Sequence, residues 1–327
     1  MFKVLITTVP FGDKNRYPLD LLEENNVEYL VNPINKKLTE CELVDMVADF
    51  DVIIAGTEPI TKKVMDGATN LKMISRVGIG LDSVDLIEAE KKRITVSYTP
   101  DAPAPAVSEL TIGMMLTLLR SVHVSNSQMH LGHWHRFFGR RLSEVVIGII
   151  GVGRIGQGVV KHLQGFGCPK ILANDLSSKQ NSGKDTNIEW TSKVDIYKRA
   201  DIISLHLPLT VETRNMIRES HLLSMKSDAI IINTSRGGII NEDDLYKVMQ
   251  SGHLSGAAID VFDNEPYEGD LNKIERCLLT AHMGSMSVDC RTRMEIEATE
   301  EVVRFITGKT LNGLVPEEEY EVQRQGL

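Results

Sequence analysis

Positive charge is in short supply in this sequence. Its 36 Lys and Arg face 45 Asp and Glu, leaving a formal net charge of −9 and a pI near 5.5. Such a balance offers no electrostatic footprint for nucleic acid or an anionic membrane. An anionic ligand must therefore be gripped by local cations against an unfavourable overall field. Cysteine is also sparse. Cys41, Cys168, Cys277 and Cys290 show no C-x-x-C spacing, so a reduced cytoplasmic protein is the economical expectation. No apolar run approaches bilayer length, and Met1-Phe2-Lys3 leads straight into a strand-like Val4-Leu5-Ile6, so neither a membrane span nor a signal peptide is expected. What remains is an ordinary globular composition, 42% apolar and 25% charged. A length of 327 residues suggests two domains at about 150 residues each.

The most informative stretch is Val145 to Gly156. Val145 to Ile150 is an apolar, mostly β-branched run, too short for a helix and typical of a strand buried on both faces. Gly151, Gly153 and Gly156 then give G-x-G-x-x-G, with Arg154 and Ile155 inside the motif. A helical pattern follows through Val159, Val160 and Leu163. The first glycine permits the tight turn, the second lets backbone approach a pyrophosphate, and the third packs helix on strand. Phosphates would sit on the free N–H groups and positive dipole end of that helix. The next strand, Ile171–Asn174, ends at Asp175, which lies 175 − 156 = 19 residues past the third glycine, near the spacing of about 20 for a ribose-binding acid. A carboxylate there accepts from the ribose hydroxyls and repels a 2′-phosphate, which predicts NAD(H) over NADP(H). Lys179 is a nearby cation that would soften this preference.

Residues 1 to about 100 alternate short apolar runs with amphipathic stretches. Val4–Thr7, Tyr29–Val31, Val52–Ala55, Leu71–Ser75 and Thr95–Tyr98 read as strands, and Thr39-Glu40-Cys41-Glu42 as a capping box. This βα repeat predicts a parallel sheet, but no glycine turn follows its first strand. Pro100-Asp101-Ala102-Pro103-Ala104-Pro105 reads as a domain crossing. Val107 to Leu119 is an apolar helix, followed by a segment with His123, His130, His133 and His135 that lacks the carboxylates and cysteines of a metal site. A second βα array follows, with strands at Val145–Ile150, Ile171–Asn174, Asp201–His206, Ala229–Asn233, Ala257–Val261 and Leu278–Thr280. An amphipathic helix from about Ser287 to Ile306 closes the chain, and the tail Pro316-Glu317-Glu318-Glu319 reads as a solvated end. The expected class is α/β with two doubly wound, Rossmann-like parallel sheets, one domain being split in sequence. The expected boundaries are 1–103 with 284–327 for a substrate-binding, flavodoxin-like domain. The nucleotide-binding domain takes 104–283, including a dimerisation arm at about 107–142.

Ligands of doubly wound sheets bind beyond the carboxyl ends of the strands. Arg236, Glu265 and His282 each follow one such end. Read alone, each has a plainer account, as a surface charge after a turn, an exposed loop acid, or a satisfied loop histidine. Taken in order with their neighbours they are recognisable. Gly78-Ile79-Gly80-Leu81-Asp82, Val107-Ser108-Glu109, the glycine fingerprint, His206-Leu207-Pro208-Leu209-Thr210, Asn233-Thr234-Ser235-Arg236-Gly237, Asp260-Val261-Phe262 with Glu265-Pro266, and His282-Met283-Gly284 appear in turn. The chain resembles the D-isomer-specific 2-hydroxyacid dehydrogenases, the family that includes D-3-phosphoglycerate dehydrogenase and hydroxypyruvate reductase. The resemblance runs from about Val52 to Ile306. It implies that Arg236, Glu265 and His282 are catalytic, and that His206, Pro208, Thr234 and Asp260 lie with the glycines and Asp175 around NAD. For His206 a packing or cofactor contact is expected rather than proton transfer. Glu109 and Asp82 read equally as structural. Two departures stand out: Ser235 where alanine is usual, and Ala281 where proline commonly precedes the histidine.

The chemistry asks for the same residue types. Hydride delivered to a 2-keto acid leaves a developing alkoxide, and an imidazolium near neutral pH suits its protonation. Glu265 on the other ring nitrogen would fix the tautomer and favour the charged ring. Arg236 offers a planar fork matched to a carboxylate. Backbone N–H groups around Val77-Gly78, beside Arg76, are expected to hold the substrate carboxylate from the first domain. No arginine follows Ala55-Gly56-Thr57, where phosphoglycerate dehydrogenases of this family carry one; Arg76, Arg136, Arg140 and Arg141 are the alternative cations for a second anionic group. No serine-regulated C-terminal extension is expected. The partners expected are a small anionic substrate and a second copy, as a homodimer or dimer of dimers, with neither nucleic acid nor membrane. Three readings follow. The first is a dehydrogenase of a small polar hydroxy acid, 3-phosphoglycerate or a relative of it. The second is a glyoxylate or hydroxypyruvate reductase. The third is an NAD(H)-sensing protein like the C-terminal-binding corepressors.

Overall fold

The computed structural model describes residues 2–176 and 187–326. They form two units, Met1–Pro103 with Met286–Leu327, and Ala104–Ser285. In the first unit the order is β1 (Lys3–Ile6), α1 (Tyr17–Glu24), β2 (Glu28–Val31), α2 (Glu40–Val47), β3 (Val52–Ala55), α3 (Lys62–Gly67), β4 (Met73–Arg76), α4 (Leu86–Lys91) and β5 (Thr95–Tyr98). All pair in parallel in the order β2-β1-β3-β4-β5. β3 and β4 are buried at every position, which is why Val-Ile-Ile-Ala carries no polar alternation. Side chains start the helices where the sequence supplies them. The Thr39 hydroxyl accepts from the Glu42 N–H in a reciprocal capping box, Thr61 caps at Val64 and Asp85 at Glu88.

The second unit begins with α5 (Ala104–Leu119) and α6 (Val122–His130), then β6 (Ile147–Ile150), α7 (Arg154–Gln164), β7 (Ile171–Asn174), β8 (Ile188–Trp190) and α8 (Lys193–Arg199). It continues through β9 (Ile202–Leu205), α9 (Glu219–Ser224), β10 (Ile230–Asn233), α10 (Glu242–Ser251), β11 (Gly256–Ile259) and β12 (Cys277–Leu279). Seven parallel strands run in the order β12-β11-β10-β9-β6-β7-β8. Both sheets are doubly wound and parallel, the expected class. The edge strand β8 has no counterpart among the strands expected from sequence; Ile188-Glu189-Trp190 alternates only over three half-buried residues. The helix expected from Val107 to Leu119 ends where expected and begins three residues earlier, at Ala104; beyond Ser121, at a left-handed φ of 51°, the histidine-rich segment forms α6, a helix not expected from sequence.

After the second unit the chain returns to the first as α11 (Val288–Ile306) and α12 (Glu317–Arg324). α11 buries Met294, Ala298 and Val302, and its Ala298 carbonyl accepts from the Ser75 hydroxyl of β4 at 2.8 Å. The acidic tail is solvated, as expected, and it is also helical. Glu317–Glu319 open α12, where negative charge meets the positive end of the helix dipole. The Gln323 amide then ties that helix to the Leu81 and Val84 carbonyls at 3.2 and 2.8 Å. Among the described residues no helix is long and apolar enough to cross a membrane.

Candidate active site

The glycine turn lies at the switch point of the seven-stranded sheet, where β6 has β7 on one side and β9 on the other. Gly151 has φ of +92°, and a Cβ there would lie 2.2 Å from the His206 carbonyl oxygen beyond β9. A Cβ on Gly156 would lie 2.1 Å from the Gly151 oxygen, so α7 and β6 meet at backbone distance. Over Gly153 the situation is reversed: an added Cβ would meet nothing within 4 Å. Open space above a helix N-terminus, with backbone N–H groups turned to it, fits a pyrophosphate. Arg154 and Ile155 form the first turn of α7. Asp175 lies just past β7, and its Oδ2 accepts from the Val152 N–H at 2.7 Å, which holds the acid against the turn. Lys179 falls outside the described residues.

His206 and Pro208 follow β9. The His206 Nε2 lies 2.9 Å from the Ser204 hydroxyl, and its buried Nδ1 has no partner among the described residues. Burial pushes this imidazole down to about 4, so near neutrality it is uncharged and has no proton to give as an acid. Thr234 is 5% exposed, and its hydroxyl meets that of Thr111 on α5 at 2.9 Å.

Three further side chains follow β10, β11 and β12, adjacent parallel strands whose carboxyl ends are neighbours about 4.8 Å apart. Arg236 comes first. The Asn233 amide donates to the Arg236 carbonyl at 2.8 Å, while its oxygen accepts from the Ser235 N–H and hydroxyl at 3.1 and 2.8 Å. That gives Ser235, the departure from alanine, a partner. Gly237 then admits no side chain, because a Cβ would lie 2.0 Å from the Phe262 backbone. This contact packs the Arg236 turn against the segment leading to Glu265. The Glu265 Oε1 accepts from the Phe262 N–H at 3.2 Å. Both its oxygens lie 3.0 Å from Nδ1 of His282, leaving Nε2 as the nitrogen that faces away from the acid. The pair is partly exposed, 35% for His282 and 21% for Glu265, so solutes can reach it. Asp260 is 1% exposed; burial pushes its carboxyl up, against the hydrogen bonds it accepts from Thr280, Met283 and Gly284.

In the first unit the substrate-binding residues look different from expectation. Val77 N–H donates to the Ala55 carbonyl at 2.8 Å, continuing the β3–β4 ladder. Gly78 N–H donates to the Thr99 hydroxyl at 2.8 Å. Both donors expected to hold a carboxylate are thus engaged inside the unit. The next N–H groups of the same turn, on Ile79 and Gly80, have no partner among the described residues. Arg76 is 4% exposed and donates from Nη1 to the Val77 carbonyl at 2.6 Å, so it braces the turn from behind. Two of the other candidate cations are also committed. Arg140 pairs with Asp201 at 3.0 Å, and Arg141 with Glu144 at 3.0 Å.

The family model for the NAD binding domain of D-isomer specific 2-hydroxyacid dehydrogenases matches residues 112–284. Hydroxypyruvate reductase of Thermotoga maritima is 33% identical over 297 residues, covering 87% of this chain and 96% of the relative. This chain belongs to the D-isomer specific 2-hydroxyacid dehydrogenases. D-3-phosphoglycerate dehydrogenase of Methanocaldococcus jannaschii is 34% identical over 322 residues, 96% of this chain, but the chain spans only 59% of that relative's length. A solved structure of a protein from Thermus thermophilus superposes with a TM-score of 0.87 at 31% identity, covering 96% of this chain and 100% of its own. The dehydrogenase family binds NAD, and the open glycine turn with Asp175 beside it fits that cofactor.

Proposed function

We propose that this dehydrogenase passes hydride between NAD(H) and a small polar 2-hydroxy or 2-keto acid, with His282 as the acid/base, Glu265 orienting it and Arg236 on the substrate carboxylate. The observation that carries this is the Nδ1 of His282 set 3.0 Å from both oxygens of Glu265. With Nδ1–H given to the carboxylate, Nε2 is left to hold the mobile proton. Bound NADH supplies the hydride. Nε2 gives its proton to the carbonyl oxygen as that oxygen becomes a hydroxyl, and in the reverse direction Nε2 accepts it. The Arg236 fork holds the carboxylate and keeps the carbonyl in line. Around the cofactor, Gly151, Gly153, Arg154, Ile155 and Gly156 form the phosphate turn, Asp175 takes the ribose, and His206, Pro208 and Thr234 line the strand ends. In the first unit, the Ile79 and Gly80 N–H groups, in the turn where a carboxylate-binding backbone was expected, have no partner among the described residues.

One observation favours a substrate without phosphate. Where phosphoglycerate dehydrogenases carry arginine, the chain has Gly56-Thr57-Glu58. Glu58 is 2% exposed and accepts from the Thr7 hydroxyl and, at 2.8 Å, from the Gly56 N–H. A buried carboxyl at that strand end opposes a second anion. Hydroxypyruvate or the smaller glyoxylate is therefore the preferred class over phosphohydroxypyruvate.

The test is NADH oxidation across a panel of 2-keto acids, with and without phosphate, repeated with NADPH. Turnover is expected on the unphosphorylated acids with NADH. Tight NADH binding without turnover on any of them would favour the sensing protein instead. Asp175→Ala should narrow the NADH-over-NADPH preference about tenfold, since it removes charge-assisted bonds to the ribose; an unchanged ratio would refute the ribose assignment.

The arm supports a homodimer. Val122, Leu131, Trp134 and Phe138 are 52%, 69%, 77% and 104% exposed, an apolar load that a second copy would cover. Sedimentation of the full chain should give twice the chain mass or a multiple of it; a monomer would exclude this role. The four cysteines are all free, which accords with a reducing cytoplasm.

A further inference from the structure

The turn after β4 is held at both ends, and the two holds differ in kind. At its start the Val77 and Gly78 N–H groups donate to the Ala55 carbonyl and the Thr99 hydroxyl, both at 2.8 Å. Its middle, Ile79 and Gly80, keeps two N–H groups without a partner among the described residues. From there the chain runs through Leu81 to Leu86, where α4 begins. One side chain closes that stretch. Gln323 of α12 donates from Nε2 to the Leu81 and Val84 carbonyls at 3.2 and 2.8 Å, and its Oε1 accepts from the Leu86 N–H at 2.8 Å. The last bond serves one of the N–H groups that the start of a helix leaves without an intrahelical partner; Asp85 serves another, on Glu88. A single amide thus joins three backbone groups that lie 237 to 242 residues away in sequence.

Little of this attachment is apolar. α12 fully buries no residue, and its Tyr320 packs against the core of the unit while half-buried. The other polar tie to α4 is the exposed pair of Arg324 with Glu90 at 2.9 Å. We propose that Gln323 is a positioning residue, fixing the far end of the turn so that the Ile79 and Gly80 N–H groups are already in place for the substrate carboxylate. Donors fixed in advance lose less freedom when a ligand binds, whereas a segment with one loose end opens locally. A contact made equally to the keto acid and to the transition state sets KM and leaves kcat. The proposal rests on the reading of this turn as the carboxylate-binding backbone.

The test uses the full chain loaded with NADH. It combines steady-state reduction of hydroxypyruvate with binding of oxamate, an unreactive mimic of a 2-keto acid. Gln323→Ala is expected to raise the KM for hydroxypyruvate and the Kd for oxamate about tenfold, with kcat and the Kd for NADH held. Loss of folded protein would instead lower the apparent kcat and leave KM unmoved. Gln323→Glu should do at least as much, since it keeps the acceptor for Leu86 but sets an oxygen against two carbonyls. Arg324→Ala loosens the same helix without touching the turn, and should leave KM as it is. Equal rises in Arg324→Ala and Gln323→Ala would make the effect one of helix docking. That result, an unchanged KM in Gln323→Ala, or a loss confined to kcat would each overturn the proposal. The amide proton resonances of Ile79 and Gly80, read with isotope-labelled isoleucine and glycine, test the reading beneath it. Oxamate should move both downfield in the unaltered chain, as each N–H gains an anionic acceptor. If neither moves, the carboxylate reading of the turn fails whatever Gln323 does. Movement there, with the oxamate Kd unchanged in Gln323→Ala, would refute the role of Gln323 alone.

Discussion

Replacing His282 by alanine should lower kcat for keto-acid reduction by about 10²–10⁴, the range that a positioned general acid contributes. The Kd for NADH should not change, because the glycine turn, Asp175 and α7 lie at the ends of other strands in the sheet. The loss should be larger than for Glu265→Gln, which keeps a ring partner at Nδ1 but not its charge. Stopped-flow single turnovers separate the proton-coupled step from product release. Loss of NADH affinity with full single-turnover rate would place His282 outside the chemistry.

Arg236→Ala should lower kcat/KM by about 10²–10⁴. Two charge-assisted bonds to a carboxylate are worth about 1.5–3 kcal/mol each, and their loss also leaves the keto acid without orientation. Arg236→Lys should recover only part of this, since a single ammonium cannot reproduce the planar fork. The contribution should appear in both KM and kcat, unlike that of His282. The turn keeps its Asn233, Ser235 and Gly237 contacts in these variants, although the 2.6 Å bond that Arg236 Nη1 donates to the Ser235 carbonyl is lost with the guanidinium. A change in KM alone would mean that Arg236 binds the acid without aligning it.

Much of this was legible in the chain because the relevant signals are local. A buried β-branched run, three glycines and an acid at the end of the next strand describe a nucleotide turn without reference to anything distant. Arg236, Glu265 and His282 could be singled out because each follows an apolar strand, and parallel order puts such ends side by side. The features that escaped are those set by partners remote in sequence. Val77 and Gly78 carry N–H groups like any others, and only the ladder to Ala55 and the hydroxyl of Thr99 reveals that they are engaged. Asp260 is legible only as a residue that the resemblance places around NAD, whereas the bonds it accepts here come from a loop that begins 20 residues later. Helix α6 buries none of its residues, so no apolar stripe marks Val122–His130 as helical. Edge strand β8 is short and half-buried, so its pattern is too brief to register.

The most direct test of the account is the configuration of the product. Reduction of hydroxypyruvate by the full chain and NADH, followed by chiral chromatography of the glycerate formed, should yield the D isomer, with product formation about 10²–10⁴ slower in His282→Ala. The L isomer, a racemate, or undiminished product from His282→Ala would contradict it.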